Sequence, residues 1–248
     1  MKAWTCSHGA KLKLVTGSLY LIPVPLGPVS PEACLPPDTL AIARRIEHFV
    51  VERAKTARAH LKAMGHPQPI QALHLTELNE HTPADAIPAL LAPLKAGHDL
   101  GLLSEAGCPA VADPGAALVM AAHRADIPVV PLIGPSSILL ALMASGLGGQ
   151  RFAFHGYLPA KEPERSLAIR ELEKTARKAK ATQLFIETPY RSAALLEALA
   201  ATLSPDTLIS VGADLSLPSQ LIRTLSARAW RGQTDAVKDR LVVLGMAA

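Results

Sequence analysis

Cysteine is scarce in this chain of 248 residues: Cys6, Cys34 and Cys108 are the only three, and no pair has C-x-x-C spacing. An odd, sparse set excludes a disulfide scaffold and a cysteine-built zinc ribbon, and it fits a reducing compartment. Long hydrophobic runs are also missing. The apolar stretch Leu19–Leu26 is broken by Pro23 and Pro25, so it lacks the order of a secretory signal, and Ile138–Ala144 is too short to cross a bilayer. A cytoplasmic protein is expected. No G-x-G-x-x-G, Walker A or G-x-S-x-G occurs, which removes the common dinucleotide, nucleoside-triphosphate and serine-hydrolase loops. The histidines are scattered, and neither His60/His66 nor His74/His81 has the spacing of metal ligands on a helix, so no metal is expected. Charge is poor in one-sidedness: the net value is +4, compatible with a nucleic-acid partner without arguing for one. Aromatic residues make up only 4%. What remains is Ala- and Leu-rich. At 49% hydrophobic, the chain can bury a sizeable core in one or two domains.

The most informative stretch is Gly101–Gly115, GLLSEAGCPAVADPG. A buried strand, Leu100–Leu103, empties into a small polar loop, Ser104-Glu105-Ala106-Gly107. Two Pro-containing breaks follow, and then an apolar helix starts. The carboxyl end of a strand is where open α/β sheets bind ligands. The glycines permit close approach or a positive φ.

The rest of the chain alternates around this loop. A flexible lead is expected over residues 1–16. Strands are expected at Ser18–Val24, His48–Val51, Ala72–Leu75, Leu100–Leu103 and Val129–Leu132. Helices are expected from Asp38 as N-cap to Glu47, over Ala54–Met64, from Pro83 to a stop at Gly97 with kinks at Pro88 and Pro93, over Ala116–Ala125, and over Ile138–Leu147 with Ser136 or Ser137 as N-cap. This order implies a parallel sheet with helices on both faces. After Gly149 the character changes. Strands Phe152–Leu158, Gln183–Ile186, Leu208–Val211, Leu221–Leu225 and Leu241–Leu244 come with a charged helix, Lys161–Lys180, and a second helix to Leu203. Little helix separates the last strands, so this half reads as a mixed sheet. The expected units are an α/β domain over 17–133 and a second α/β domain over 134–248.

Short polar clusters stand at the strand ends: Pro25–Pro28, Glu52–Lys55, Ser104–Gly107, Gly134–Ser137 and Glu187–Arg191. Ends of parallel strands converge on one edge, so distant segments become one site. The acid/base candidates there are Glu52, Glu105 and Glu187. Arg53, Lys55, Lys161 and Arg191 are candidates for holding phosphates or carboxylates. Plainer roles also fit. Glu187 and Arg191 pair at a helix start, Glu105 caps its own loop, Cys108 packs, and the ELEKTARKAK run is a solvated face.

SLYLIPVPLGP, SEAGCPAVADPG, VVPLIGPSSILLALMASGL, FAFHGYLPAK and IETPYR, in this order, resemble the tetrapyrrole methylase superfamily of S-adenosylmethionine-dependent methyltransferases. The resemblance runs from Ser18 to Leu244. It is nearest to the branch that methylates a cytidine 2′-hydroxyl in small-subunit ribosomal RNA. It implies two α/β domains with S-adenosylmethionine in the cleft between them, and a homodimer. The matching cofactor positions are Pro25, Ser104, Glu105, Ala106, Gly107, Cys108, Ser136, Ser137, Ile186 and Ala213. The catalytic candidates become Glu52 and Glu187, and the substrate-binding candidates Lys55, Lys161 and Arg191.

The chain also departs from that branch. G-N-L-x-D after the first strand is here Gly27-Pro28-Val29-Ser30-Pro31. E-D-T-R after the second is Glu52-Arg53-Ala54-Lys55, with only Glu52 retained, and the aspartate of S-D-A-G is Glu105. A C-terminal extension common in the branch is not in this sequence. These changes fall on the substrate side. The resemblance therefore supports methyl transfer more strongly than an rRNA acceptor. A tetrapyrrole or other small-molecule acceptor, and a non-catalytic S-adenosylmethionine-binding module, are the alternatives.

Overall fold

The computed structural model describes residues 16–248. The flexible lead expected over residues 1–16 therefore lies, apart from Thr16, outside the described residues. Two five-stranded sheets follow in succession, the first all parallel and the second mixed.

The first sheet holds β1 (Leu19–Leu21), β2 (His48–Val51), β3 (His74–Glu77), β4 (Leu100–Leu103) and β5 (Val129–Pro131), in the order β3-β2-β4-β1-β5. Side-chain alternation along β2 shows why both of its faces are covered. Phe49 and Val51 point into a core with Leu40 of α1 (Pro37–Arg45), Ile46 just after it, and Leu61 of α2 (Ala54–Ala63). Val50 points the other way, toward Leu91, Leu94 of the single turn α3 (Ala92–Lys95) and Leu118 of α4 (Ala116–Arg124). The centre of β4 has no room for a side chain. A Cβ on Gly101 would lie 2.6 Å from a Phe49 ring carbon and 2.8 Å from Ile22.

Four local expectations are corrected. Asp38 is not the cap of α1: Pro36 holds that position, and Asp38 lies in the first turn, where its charge suits the helix dipole. The third strand starts two residues later than expected, because Ile70–Ala72 closes into a 3₁₀ turn. The segment after Pro83 is a 3₁₀ helix, Ala84–Leu91, leading into α3, rather than one kinked α-helix. Pro88 lacks the N–H that an α-helix would need there, and its ring crowds the preceding turn. The charged helix α6 (Glu164–Ala179) starts three residues past Lys161.

The second sheet holds β6 (Phe152–Tyr157), β7 (Thr182–Glu187), β8 (Leu208–Ala213), β9 (Leu221–Ser226) and β10 (Val242–Ala247), ordered β6-β7-β10-β8-β9. Only β6 and β7 run parallel; β10 is antiparallel to both of its neighbours. Phe185, Val211 and Leu244 face α6, α7 (Ser192–Thr202) and α8 (Ala227–Trp230), with Trp230 fully buried and its Nε1 donating to the Ile209 carbonyl at 3.0 Å. The opposite face, with Leu184 and Val243, is covered by α5 (Ser137–Ser145) through Ile138, Ala141 and Leu142. The apolar helix that follows the first sheet is thus a wall of the second. No helix among the described residues is long and apolar enough to cross a membrane.

At the amino ends of the first sheet's strands, His48 and His74 occupy paired register positions. Their rings stack 4.6 Å apart, and His98 tilts against His48 at 5.1 Å. Burial and then the charges of His74 and His98 hold the His48 imidazole below its ordinary pKa, with Glu47 opposing. The unfolded chain therefore takes up this proton at higher pH than the folded one. Stability from this group is complete above about pH 6.5 and is lost as pH falls below it. Urea midpoints should drop between pH 7.5 and pH 5, and the drop should be smaller in His48→Gln. Equal drops in both proteins would overturn the assignment.

Candidate functional site

The loop after β4 is tied to the exit of β1 by two hydrogen bonds. Val24 N donates to the Gly107 carbonyl at 2.9 Å, and Gly107 N donates to the Val24 carbonyl at 3.1 Å. This short antiparallel bridge at the edge of a parallel sheet needs Gly107 at φ +71°, a left-handed value that other side chains resist. Cys108 Sγ donates to the Pro135 carbonyl at 3.3 Å, joining the loop to the exit of β5. Burial raises the Cys108 thiol pKa, as befits a packing residue. Ser136 caps α5, its hydroxyl accepting from Leu139 N at 3.4 Å. Three strand exits are so gathered into one corner.

Opposite that corner stand the carboxyl end of β7, the start of β10 and the end of β8. Ile186 pairs with Val243, which pairs with Gly212. Between corner and sheet lies a cavity of about 160 Å³ with mainly apolar walls. Leu26, Ala106 and Ser137 line it from one side, and Tyr157, Ile186 and Gly212 from the other. Asp214 stands at its edge, held by Arg240 Nε at 2.8 Å and Ser219 Oγ at 3.0 Å. Leu217 closes one side: a Cβ on Gly27 would approach it to 2.8 Å.

The sequence-predicted residues divide into groups. Ala106, Ser137, Ile186 and Glu187 line the cavity together. Pro25 and Gly107 are buried beneath it, and Cys108 and Ser136 fix the loops around it. Glu105 turns toward α2, its Oε2 accepting from Thr56 Oγ1 at 3.0 Å. Ala213 is fully buried, and its neighbours Gly212 and Asp214 reach the cavity instead. Lys55 and Lys161 are exposed and line neither this cavity nor the smaller one described below.

Glu187 is 5% exposed, and its Oε1 is engaged four times. Arg191 donates from Nε at 2.9 Å and Nη2 at 2.7 Å, and Thr188 from its backbone N at 2.7 Å and its hydroxyl at 3.2 Å. The pairing at the helix start is present. The hydrogen bond to Glu187 raises the Arg191 pKa and fixes the guanidinium at the cleft.

Glu52 lies apart from Glu187, in a small cavity at the carboxyl edge of the first sheet with Ser104 and Asp113. Burial and the nearby Glu105 charge raise the Glu52 pKa. Asp113, from the ADPG turn, goes further: burial first, then the Glu52 charge, lifts it to about 6, against a lowering hydrogen bond from Ser104. The ADPG turn is plain in the sequence, but nothing in its pattern gives Asp113 a role. Only the approach of Glu52 in space singles it out. Tyr157 and Asp214 were missed in the same way, since each sits at a strand end in an otherwise ordinary pattern.

Asp113 carries a stability signature opposite to that of His48. Its folded carboxyl keeps a proton up to about pH 6, while the unfolded one loses it near 3.8, so stability falls as pH rises between these values. Asp113→Asn should be more stable than the parent at pH 7 by about 1 kcal/mol, the full range being screened by water at this half-buried group. The gain should vanish below pH 4. A constant difference across pH would contradict it.

Comparison with known proteins places this arrangement. The sequence pattern of the Tetrapyrrole (Corrin/Porphyrin) Methylases matches residues 20–229. A Mesorhizobium japonicum protein called ribosomal RNA small subunit methyltransferase I is 34% identical over 229 residues, covering 91% of this chain and 74% of that protein. The protein of the same name from Micromonospora olivasterospora is 36% identical over 188 residues, covering 76% of this chain; this chain spans only 56% of it. Among solved structures, the methyltransferase CobJ superposes with a TM-score of 0.63 at 21% identity, over 94% of each chain.

Proposed function

This chain belongs to the tetrapyrrole (corrin/porphyrin) methylase family, and on that premise we propose that it transfers a methyl group from S-adenosylmethionine to a ribose 2′-hydroxyl of small-subunit ribosomal RNA. The observation that carries the reading is the meeting of Ala106, Ser137, Ile186 and Gly212 on one cavity between the two sheets. Those residues fit the cofactor. Apolar walls at Leu26, Ile186 and Leu217 suit its adenine ring and methylene carbons, while the Ser137 hydroxyl and the Asp214 carboxylate offer polar ends. The left-handed backbone at Gly107 holds the loop close against Leu26 and Pro135. When bound, S-adenosylmethionine supplies a methyl group that is already electrophilic.

The chain's task is then to place the acceptor in line and keep water out. A ribose hydroxyl is a weak nucleophile and gains from a proton acceptor. Glu52, beside Ser104 and Asp113 at the carboxyl edge of the first sheet, is the candidate for that role, its pKa raised by burial and by the Glu105 charge. Arg191, oriented by Glu187, provides charge for an RNA phosphate, with Lys55 and Lys161 as further cations.

Purified protein with radiolabelled S-adenosylmethionine should label RNA in small subunits from a strain lacking the gene, and binding should weaken steeply with salt. Label confined to an RNA-free extract would replace this reading with a small-molecule acceptor. Cofactor binding without any label would leave a non-catalytic module. Such a protein acts in the cytoplasm, where its ribosomal substrate is.

We also propose that two copies pair through Ile133, Leu139 and Met143, which are 76%, 51% and 79% exposed. Leu139 and Met143, four residues apart, share one exposed face of α5, and Ile133 precedes that helix. Met143→Asp should convert a dimer to a monomer in sedimentation velocity. An unchanged mass would move the interface elsewhere.

A further inference from the structure

Aromatic side chains are few in this protein; among the described residues Phe49, Phe185 and Trp230 are buried and Phe154 half-buried, while Phe152, at the start of β6, is 43% exposed and does not line the cavity. Tyr20 is partly covered by Arg45, whose guanidinium lies 5.0 Å from its ring centroid. Two tyrosines behave differently, Tyr157 at 57% exposed and Tyr190 at 76%. Both flank the cleft. Tyr157 lines the cavity, and Tyr190 stands outside it on the 3₁₀ turn Pro189–Arg191 that follows β7. Their neighbourhood is shared: the Tyr157 phenol is raised by burial first, then by the Glu187 charge, with Tyr190 and Asp113 adding to it.

Tyr190 is held from below. The Arg191 guanidinium sits over its ring at 5.6 Å from the centroid. That guanidinium is itself fixed by two hydrogen bonds to the buried Glu187 carboxylate, at 2.7 and 2.9 Å. Pro189 sets the backbone of the turn. The ring is therefore backed by a cation and open to solvent over most of its surface. A tyrosine that contributes so little burial gives little to folding. Its ordered, cation-backed presentation suits stacking of a flat partner.

We propose that Tyr190 is a stacking platform for an unpaired nucleobase of the RNA strand that enters the cleft, with Tyr157 as a second ring nearer the reacting end. This rests on the RNA reading above and deepens it. The position of Tyr190 favours a strand over a compact ligand, since a molecule enclosed by the cavity would not reach a ring that does not line it. Unpaired RNA is held in this way, by bases laid on aromatic faces beside cations that track the backbone.

The test uses the full chain with small subunits as methyl acceptor, and separately a short oligoribonucleotide carrying 2-aminopurine. Tyr190→Ala should raise KM for subunits about tenfold, with kcat falling by less than KM rises, and should abolish the fluorescence quenching seen when the parent binds the oligonucleotide. Tyr190→Phe, which keeps the ring, should recover most of both. Calorimetric affinity for S-adenosylmethionine should be the same in all three proteins, which a collapse of the loop would not allow. Methyl transfer by the parent with KM and quenching unchanged in Tyr190→Ala overturns the platform and leaves the RNA reading intact. No transfer to subunits by the parent, with ring-dependent quenching present, keeps the platform and removes the ribosomal acceptor. No quenching by the parent removes the platform outright.

Discussion

Arg191→Met should lower the stability of this protein by about 2 kcal/mol, below the cost of stranding one member of a fully buried ion pair because the arginine end is partly solvated. The side chain of Glu187 is 4% exposed and that of Arg191 30%. Removing the guanidinium takes two hydrogen bonds from the Glu187 oxygen and leaves Thr188 as its remaining donor. Solvent at the Arg191 end spares part of the penalty. The urea midpoint should fall while the slope stays constant, as for a change confined to the native state. Arg191→Lys should recover only part of the loss, because an ammonium cannot present the two-pronged geometry of Nε and Nη2. Pairing Arg191→Met with Glu187→Leu should be less harmful than the sum of the two single changes, a coupling that a double-mutant cycle reads directly. A loss under 0.5 kcal/mol in Arg191→Met would mean the pair holds nothing in place.

Gly134→Ala is the second large effect. A Cβ there would lie 2.3 Å from Pro23 Cβ, 2.7 Å from Pro23 Cγ and 3.0 Å from Leu35 Cδ2. Neither proline ring nor backbone can swing aside as the tip of a flexible side chain would. The exits of β1 and β5 must separate, at a cost of about 2–3 kcal/mol for overpacking of this kind. The damage should also travel. Pro135, next in the chain, accepts from Cys108 Sγ, and Ser136 caps α5, so displacement of Gly134 pulls on both anchors of the candidate cofactor corner. Affinity for S-adenosylmethionine should fall at least tenfold by calorimetry. Gly149→Ala is the control: its nearest neighbour would be Leu142 at 3.8 Å, and it should change stability by less than 0.5 kcal/mol. Unaltered affinity in Gly134→Ala would show that the corner is not the cofactor's seat.

The two sheets and the placement of the loops at their ends were legible in the sequence because apolar runs and Pro/Gly breaks alternate cleanly there. Strand β2 matches its expected span residue for residue, and Gly65, with φ +74°, ends α2 as read. The 3₁₀ helix Ala84–Leu91 was not legible. Its apolar spacing suits an α-helix, and the decision between the two rests on the backbone near Pro88. Asp38 shows the same limit at a helix start: a good capping side chain loses to Pro36-Pro37, whose fixed φ angles already set the turn. At the site, residues within motifs were found, and residues made important by proximity were not. Asp113 takes its character from burial and then from Glu52, which stands far from it in sequence, and Tyr157 from burial in a neighbourhood spread over β6, β7 and the turn after β7. The plainer role considered for Glu187 is present in the structure, since a carboxylate and an arginine four residues apart at a helix start meet by local geometry alone.

The position of β10 has a consequence for the order in which the protein is made. The first sheet has all its strands once synthesis has passed Pro131. The second cannot close then, nor when β6 to β9 have emerged, because β7 and β8 do not touch each other; β10, the last of the ten, lies between them. Until Val242–Ala247 arrives, the nascent chain carries two half-sheets, β6-β7 and β8-β9, each with an unpaired edge. A chain stalled before Val242 would keep a folded first half and expose two sticky edges, the kind of species that chaperones retain. The cavity wall that includes Val242 and Val243 forms at that same closing step, so the proposed cofactor site is complete only when synthesis of the sheet is complete.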